Sequence, residues 1–250
     1  MSSEKFNVSV VLLTKNEEHN IDACLGSCSF AKEIIVVDDE STDGTVAKAN
    51  AFGAKVFTRA LAGNWGEQQT FAISKASCEW VFLIDADERV SPLLAQNLAK
   101  TLEQKPQKAF WIKRENHYNS GRKAHGILRP DWVMRLLPRE GARVEGQVHQ
   151  TICSPFPQEK LSGHLIHFPY RNWGAYFRKF EKYTTLSAEK YESQGKHCGF
   201  VNGIIIKPLW AFLKVYFFNL GFLDGKIGWT LSVYHYFYTI DRKSTRLNSS

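Results

Sequence analysis

What this chain has little of narrows its chemistry first. Its five cysteines, Cys24, Cys28, Cys78, Cys153 and Cys198, include no C-x-x-C pair. That argues against a zinc ribbon or a thioredoxin-like centre and for a reducing compartment. Cys24 and Cys28, four apart on an expected helix, read as small core residues. No glycine stands in Thr14-Lys15-Asn16-Glu17-Glu18, the turn after the first apolar run. Both the dinucleotide-binding fingerprint and the P-loop are therefore missing, which removes the common dehydrogenase and NTPase readings. The polar start Met1–Asn7 has no signal-peptide core, so the cytoplasm is the expected compartment. Acids are the scarcer charge: 25 Asp and Glu against 32 Lys and Arg leave a net charge of +7. The surplus is uneven. Lys108 to Arg143 holds nine Lys or Arg against Glu115, Asp131 and Glu140, a balance that attracts phosphate-bearing partners.

What is present points to a sheet. Trp80–Ile84 is an unbroken apolar run, the pattern of a strand buried on both faces, and it ends in Asp85-Ala86-Asp87-Glu88. Val8–Leu13 and Ile34–Val37 are two more such runs, the second ending in Asp38 and Asp39. Lys55–Thr58 and Ala109–Ile112 read as further strands. Between them lie helical patterns: Ile21, Cys24, Leu25 and Cys28; a helix from Thr45 with Asp43 as its cap; Glu67–Ala76; and Leu94, Leu98 and Leu102 after Ser91-Pro92. This alternation predicts an α/β fold, a mostly parallel sheet with helices on both faces. Its acid-tipped strand ends fall at one edge, where open sheets of this kind bind ligands. On an extended backbone Asp85 and Asp87 leave the same face, so they can share one target; the alternative is that the two aspartates only end the strand and begin a turn. Carboxylate oxygens suit Mg²⁺ or Mn²⁺, whose other ligands come from phosphates and water.

Val8–Asn20, Val36–Thr45 and Asp85–Glu88, in this order and spacing, resemble the family 2 glycosyltransferases of GT-A fold. The resemblance implies a nucleotide-sugar donor, typically a UDP-sugar, bound by Thr14, Glu17, Asp38 and Asp39, with Asp39 facing the base. It also implies that Asp85 touches the ribose and that Asp85 and Asp87 hold a divalent ion on the diphosphate. Lys15 stands where many members carry an aromatic residue. Pro130-Asp131-Trp132 through Arg135-Leu136 and Val144–Gln150 look like the P-D-x-x-x-R-L and V-H-E motifs of a narrower group, which includes the lipopolysaccharide core β-1,4-glucosyltransferases. Arg135 is thereby placed among the donor-binding residues. Gln150 occupies the place of a glutamate, and an amide is no general base. Glu145 and Asp131 are the remaining candidate bases. His164 and His167, three apart on an extended segment, face opposite sides and are expected to be structural, with one able to reach the diphosphate or its metal.

The expected organisation is a GT-A domain over 1–170, with a nucleotide half (1–105) and an acceptor half (106–170), then a helical aromatic-rich region over 171–243. Tyr176–Lys196 reads as an amphipathic helix. Phe200–Ile240 is dense in aromatics, but Lys207, Pro208, Lys214 and Lys226 interrupt every window of spanning length, so no clean transmembrane span is expected. Aromatics beside lysines fit a helix lying in the membrane interface. The alternatives are packing on the catalytic domain or on a second subunit. Residues 244–250 read as a disordered, non-native tail. The resulting expectation is an inverting transferase on the inner face of the cytoplasmic membrane. It would move a hexose, with glucose the first choice, from a UDP-sugar to a lipid-linked saccharide such as the lipopolysaccharide inner core; nucleic acid is not among the expected partners. A nucleotidyltransferase and a non-catalytic nucleotide-binding scaffold at the membrane are the competing readings.

Overall fold

The computed structural model describes residues 5–146, 150–169, 174 and 201–244. By its contacts the chain forms two units. One comprises Met1–Glu115 and Asp131–His167, the other Asn116–Pro130 and Phe168–Ser250. The expected helix over Tyr176–Lys196, the histidine of the V-H-E-like motif and residues 245–250 lie outside the described residues.

The first unit is built on an eight-stranded sheet of order β3-β2-β1-β4-β7-β6-β10-β5. Its parallel half comprises β1 (Phe6–Thr14), β2 (Ala31–Asp38), β3 (Lys55–Thr58) and β4 (Trp80–Asp85). The helices α1 (Ile21–Gly26), α2 (Thr45–Ala51) and α3 (Trp65–Ser74) connect these strands. Alternate residues of one strand serve opposite faces. Val8, Val10 and Leu12 pack with Ile21, Cys24 and Leu25, whereas Val11 packs with Ala72 and Ile73. That places helices on both faces, as the alternation of patterns requires. In α4 (Pro92–Gln104) the predicted stripe Leu94, Leu98 and Leu102 is buried, and Ser91 caps the helix by accepting from Leu94 N.

The other half of the sheet is antiparallel where its register is defined. β7 (Asp131–Pro138) joins β4 to β6 (Ala109–Asn116), and β5 (Glu88–Val90) pairs with β10 (Gln158–His167). β6 runs four residues further than the expected strand, because Arg114 pairs across the ladder with Asp131. The basic stretch after Ile112 therefore begins as strand. A small ladder of β8 (Arg143–Glu145) and β9 (Thr151–Cys153) completes this unit.

The second unit contains α5 (Lys207–Leu213), flanked by π-helical turns over Val201–Ile206 and Lys214–Phe218, and α6 (Gly225–Ser244). Phe212, Tyr216 and Trp229 make mutual ring contacts. Gly228 is required at its position, since a Cβ there would collide with the Gly221 carbonyl. Asp224 is buried and accepts from Tyr118 Oη (2.9 Å), His125 N (2.8 Å) and His125 Nδ1 (2.8 Å). The expectation of no span is corrected in one respect. Val201–Phe218 is an 18-residue helical run of mean hydropathy 1.3, long and apolar enough to cross a membrane by length and composition.

Candidate active site

β1 pairs in parallel with β2 on one side and β4 on the other, so the connections diverge at this point. The crevice outside such strand ends is where open α/β sheets bind ligands. Register brings Thr14 opposite Asp38 and Leu13 opposite Asp85. Three of the predicted residues thus meet at one edge.

The loop after β1 is stitched to the loop after β2. Asn16 N donates to Ser41 Oγ, Thr42 N to Asn16 Oδ1, and Glu17 N to Thr45 Oγ1, each at 2.8 Å. Asn16 takes a φ of 55°, a left-handed conformation that asparagine tolerates. Gly44 is needed because a Cβ there would meet the Glu18 carboxylate. Asp38 is buried and accepts from Ser41 N and Ser41 Oγ. Asp39 is less enclosed; it accepts from Leu61 N (2.8 Å) and Lys15 Nζ (2.9 Å). The Lys15 hydrogen bond holds the Asp39 carboxyl below the usual range, and the same bond raises Lys15. Asp43 accepts from Thr45 N and Oγ1 just before α2, but Gly44 occupies the N-cap, so Asp43 closes the preceding turn instead of capping the helix as expected.

β4 ends at Asp85, and Ala86-Asp87 form a turn before β5. The extended backbone expected through Asp87 is therefore corrected, and the two aspartates have different partners. Asp85 pairs with Arg135 (2.5 Å) and lies 3.9 Å from Arg114. Asp87 lies 3.3 Å from His167 Nε2. Glu88, fully buried, binds Arg135 (2.6 Å) and Arg114 (3.4 Å) and accepts from Asp85 N. Desolvation opposes ionisation of Asp85, but the Arg135 charge overrides it and the carboxyl stays below its usual range. At Glu88 burial wins, and its pKa is raised despite Arg135. Burial also raises Glu17, with the Asp87 charge adding to the effect.

Asp87 supplies the hard oxygen donor that Mg²⁺ and Mn²⁺ prefer, and His167 adds a nitrogen donor, which suits the softer Mn²⁺ better than Mg²⁺. Among the described residues no group of three or more His, Cys, Asp or Glu is arranged to hold a metal. Such ions bind through one or two protein ligands plus substrate phosphates and water, so the pair fits the role. His164 is 4.0 Å from Glu115, on a different partner from His167, as their spacing requires.

Of the candidate bases, Asp131 is held by two Arg114 nitrogens at 2.7 and 3.0 Å, and Glu145 by Arg143 at 2.8 Å. Neither is among the residues that line the adjoining pocket of about 570 Å³, whereas Asp85, Arg114, Arg135 and Gln150 are. Thr14 Oγ1, Gln69 Oε1 and Arg135 Nε are buried at or near this edge without a hydrogen-bond partner among the described residues. Buried polar groups are ordinarily paired, so these atoms have room for a water or a polar ligand. His167 is the residue that sequence reasoning left uncommitted. Its signal was a histidine closing a segment now seen to pair with β5, His167 opposite Glu88.

A parallel sheet whose connections diverge at β1, with Asp38 and Asp85 closing the two flanking strands, is an architecture that presents acids to a ligand at one edge. The model of the glycosyl transferase family 2 matches residues 9–183, and the chain belongs to that family. The lipopolysaccharide core biosynthesis glycosyltransferase LpsC of Rhizobium meliloti is 30% identical over 90% of this chain and 88% of its own length. An uncharacterized glycosyltransferase of Rickettsia typhi is 29% identical over 90% of this chain and 82% of its own. Among solved structures, glucosyl-3-phosphoglycerate synthase from Mycobacterium tuberculosis with Mn²⁺, UDP and glucosyl-3-phosphoglycerate is 24% identical. That match covers 54% of this chain and 57% of the synthase, with a TM-score of 0.40. TarS residues 1–349 of S. aureus is 14% identical over 93% of this chain and 80% of that one, with a TM-score of 0.48.

Proposed function

We propose that this glycosyltransferase moves a hexose, glucose first among the candidates, from a UDP-sugar to a lipid-linked saccharide of the lipopolysaccharide core. The observation that carries the reading is the strand edge itself: Thr14, Asp38 and Asp85 in register, with orphaned buried polar atoms beside them. The similarity to a lipopolysaccharide core enzyme over most of both chains supports the acceptor. Asp38 and Asp39 face the nucleoside, with Thr14 and Glu17 beside them. Asp85 meets the ribose, and Arg135 steers Asp85 while bringing positive charge toward the diphosphate. Asp87 and His167 would hold Mg²⁺ or Mn²⁺, which offsets the charge growing on the leaving diphosphate.

The transfer is a direct displacement. The acceptor oxygen bonds to the anomeric carbon as the bond from that carbon to the diphosphate breaks. UDP leaves with the electron pair, and the acceptor proton passes to a carboxylate. Asp131 and Glu145 are the candidates for that carboxylate. Each is held by an arginine, and in Asp131 the partner, Arg114, also lines the pocket. UDP release that depends on both donor and acceptor tests this reading. UDP binding without transfer to any saccharide would favour the scaffold reading, which Gln150 at the pocket supports.

The second unit is proposed to hold the enzyme at the inner face of the cytoplasmic membrane. Its exposed side chains include Ile206, Trp210, Phe217, Phe218, Trp229 and Phe237, and Lys207, Lys214 and Lys226 supply cations for lipid phosphates. An apolar patch of this kind marks an interaction surface. Sedimentation with anionic vesicles should bring the protein down, and replacing all three lysines should release much of it, since each contributes on the order of 1 kcal/mol. Indifference to vesicles, with self-association instead, would assign the surface to a second subunit.

A further inference from the structure

The pocket beside the strand edge is lined by two chemically different groups of residues. One is charged, with Asp85, Arg114 and Arg135. The other carries two indoles, Trp111 and Trp132, and the amides of Gln69, Gln150 and Gln158. Thr14, Glu17, Asp38 and Asp39, proposed for the nucleotide, do not line it, so the pocket adjoins the donor crevice and meets it at Asp85.

Register explains how the indoles come together. On β6 and β7 Lys113 lies opposite Trp132 and Trp111 opposite Met134, so these four share one face of the sheet. Trp132 is 40% exposed, unusual for an indole within a strand. Trp111 Nε1 donates to Gln158 Oε1 at 3.0 Å, which fixes that amide. Gln69 is nine-tenths buried, and its Oε1 has no partner. The Lys160 ammonium sits 4.6 Å from the Trp132 ring centroid, and among the described residues no acid is paired with it.

Flat indole faces match the C–H faces of a sugar ring, amides match its hydroxyls, and an unpaired ammonium matches an anionic substituent. We propose that this aromatic group is the seat of the acceptor, with Trp132 as its platform, and that Lys160 selects an acceptor ring bearing a carboxylate or phosphate. The inference rests on the transferase reading for its role, but the seat can be measured without turnover. In this arrangement the acceptor sugar lies against Trp132 and Trp111, and its reacting hydroxyl points toward Asp85 and the donor crevice.

Calorimetry on the full chain tests it, first with UDP and Mn²⁺, then with a de-acylated lipopolysaccharide oligosaccharide in its acidic form and in a neutral form that is both dephosphorylated and carboxyl-reduced. Wild type should bind the acidic form better than the neutral one. Trp132→Ala should weaken the oligosaccharide about tenfold or more, the scale of an interfacial tryptophan anchor, and Trp132→Tyr should restore most of it. Lys160→Gln should erase the preference for the acidic form. Unchanged oligosaccharide binding in Trp132→Ala, or no binding by wild type while UDP binds, overturns the seat. Equal binding of both forms by wild type overturns the role of Lys160. Failure of UDP to bind while the oligosaccharide binds would instead overturn the donor reading.

Discussion

The strand edge of the first unit and the helices of the second break the usual distribution of residues in opposite ways. At the edge polar groups are buried: Thr14, Asp38, Gln69, Glu88 and Arg135 are each less than a tenth exposed. In the helices large apolar groups face outward: Trp210, Phe217, Phe218 and Trp229 are each more than half exposed. Buried polar groups cost stability unless paired, and exposed apolar ones cost it unless covered. Each region is therefore incomplete without a partner, and the two partners differ in kind. The edge calls for a charged, hydrogen-bonding ligand, and the helices for an apolar or amphipathic surface. A transferase joining a water-soluble donor to a lipid-anchored acceptor needs both.

Arg135→Met offers the severest test of the polar side. It leaves Glu88 buried without its main counter-charge, and breaking a buried pair from one side costs about 3–5 kcal/mol. Chemical denaturation should show that loss; a small change would mean the network is already open to water. Asp87→Ala should cut transfer about a hundredfold, the scale of losing one transition-state charge contact, while thermal unfolding without metal stays close to wild type. Normal turnover by this variant would remove Asp87 and His167 from the reaction.

Away from the edge, Glu33 supplies the contrast of a polar group that is already complete. Its burial opposes ionisation, but bonds from Lys55, Ser9 and Ser77 bring its pKa down to about 2. Because the folded value lies below the ordinary 4.5, its stabilisation is present above pH 4.5 and fades as pH falls toward 2. Glu33→Gln should cost on the order of 2 kcal/mol near neutrality, and the difference from wild type should shrink through that acidic window. A constant difference would sink the argument. Asp39→Asn should be mildest, weakening UDP by about 1 kcal/mol, because an exposed pair such as Lys15–Asp39 contributes little. Calorimetry with UDP reads it.

The parallel half of the sheet was legible because uninterrupted runs such as Trp80–Ile84 bury both faces and end in acids. The stripe Leu94, Leu98 and Leu102 was legible through its helical period. Of the antiparallel half only the start of β6, Ala109–Ile112, was legible. β10 mixes exposed and half-buried residues, so period-two alternation is faint there. The site divided along the same line. Thr14, Asp38 and Asp85 follow local runs, and their convergence follows from the fold class. His167 meets Asp87 only through the β5–β10 pairing, a contact between distant parts of the chain that spacing cannot reveal. Period two did separate His164 from His167, but it could not name their partners. The turn at Ala86-Asp87 was open as the alternative to an extended backbone, and alanine carries no breaking signal that could decide between them.

The bonds converging on Asp224 change what a shortened version of this protein would be. Its donors, Tyr118 and His125, belong to a segment that leaves the catalytic unit after β6 and returns at β7. Gly126 N likewise donates to the Asn219 carbonyl. The helices are thus no severable appendix. A stop codon after His167 would strand that excursion in the middle of the surviving sequence, with its main-chain and side-chain donors returned to water. Lost activity in such a truncation would not by itself report on membrane attachment. Surface substitutions that leave Asp224 in place are the cleaner instrument.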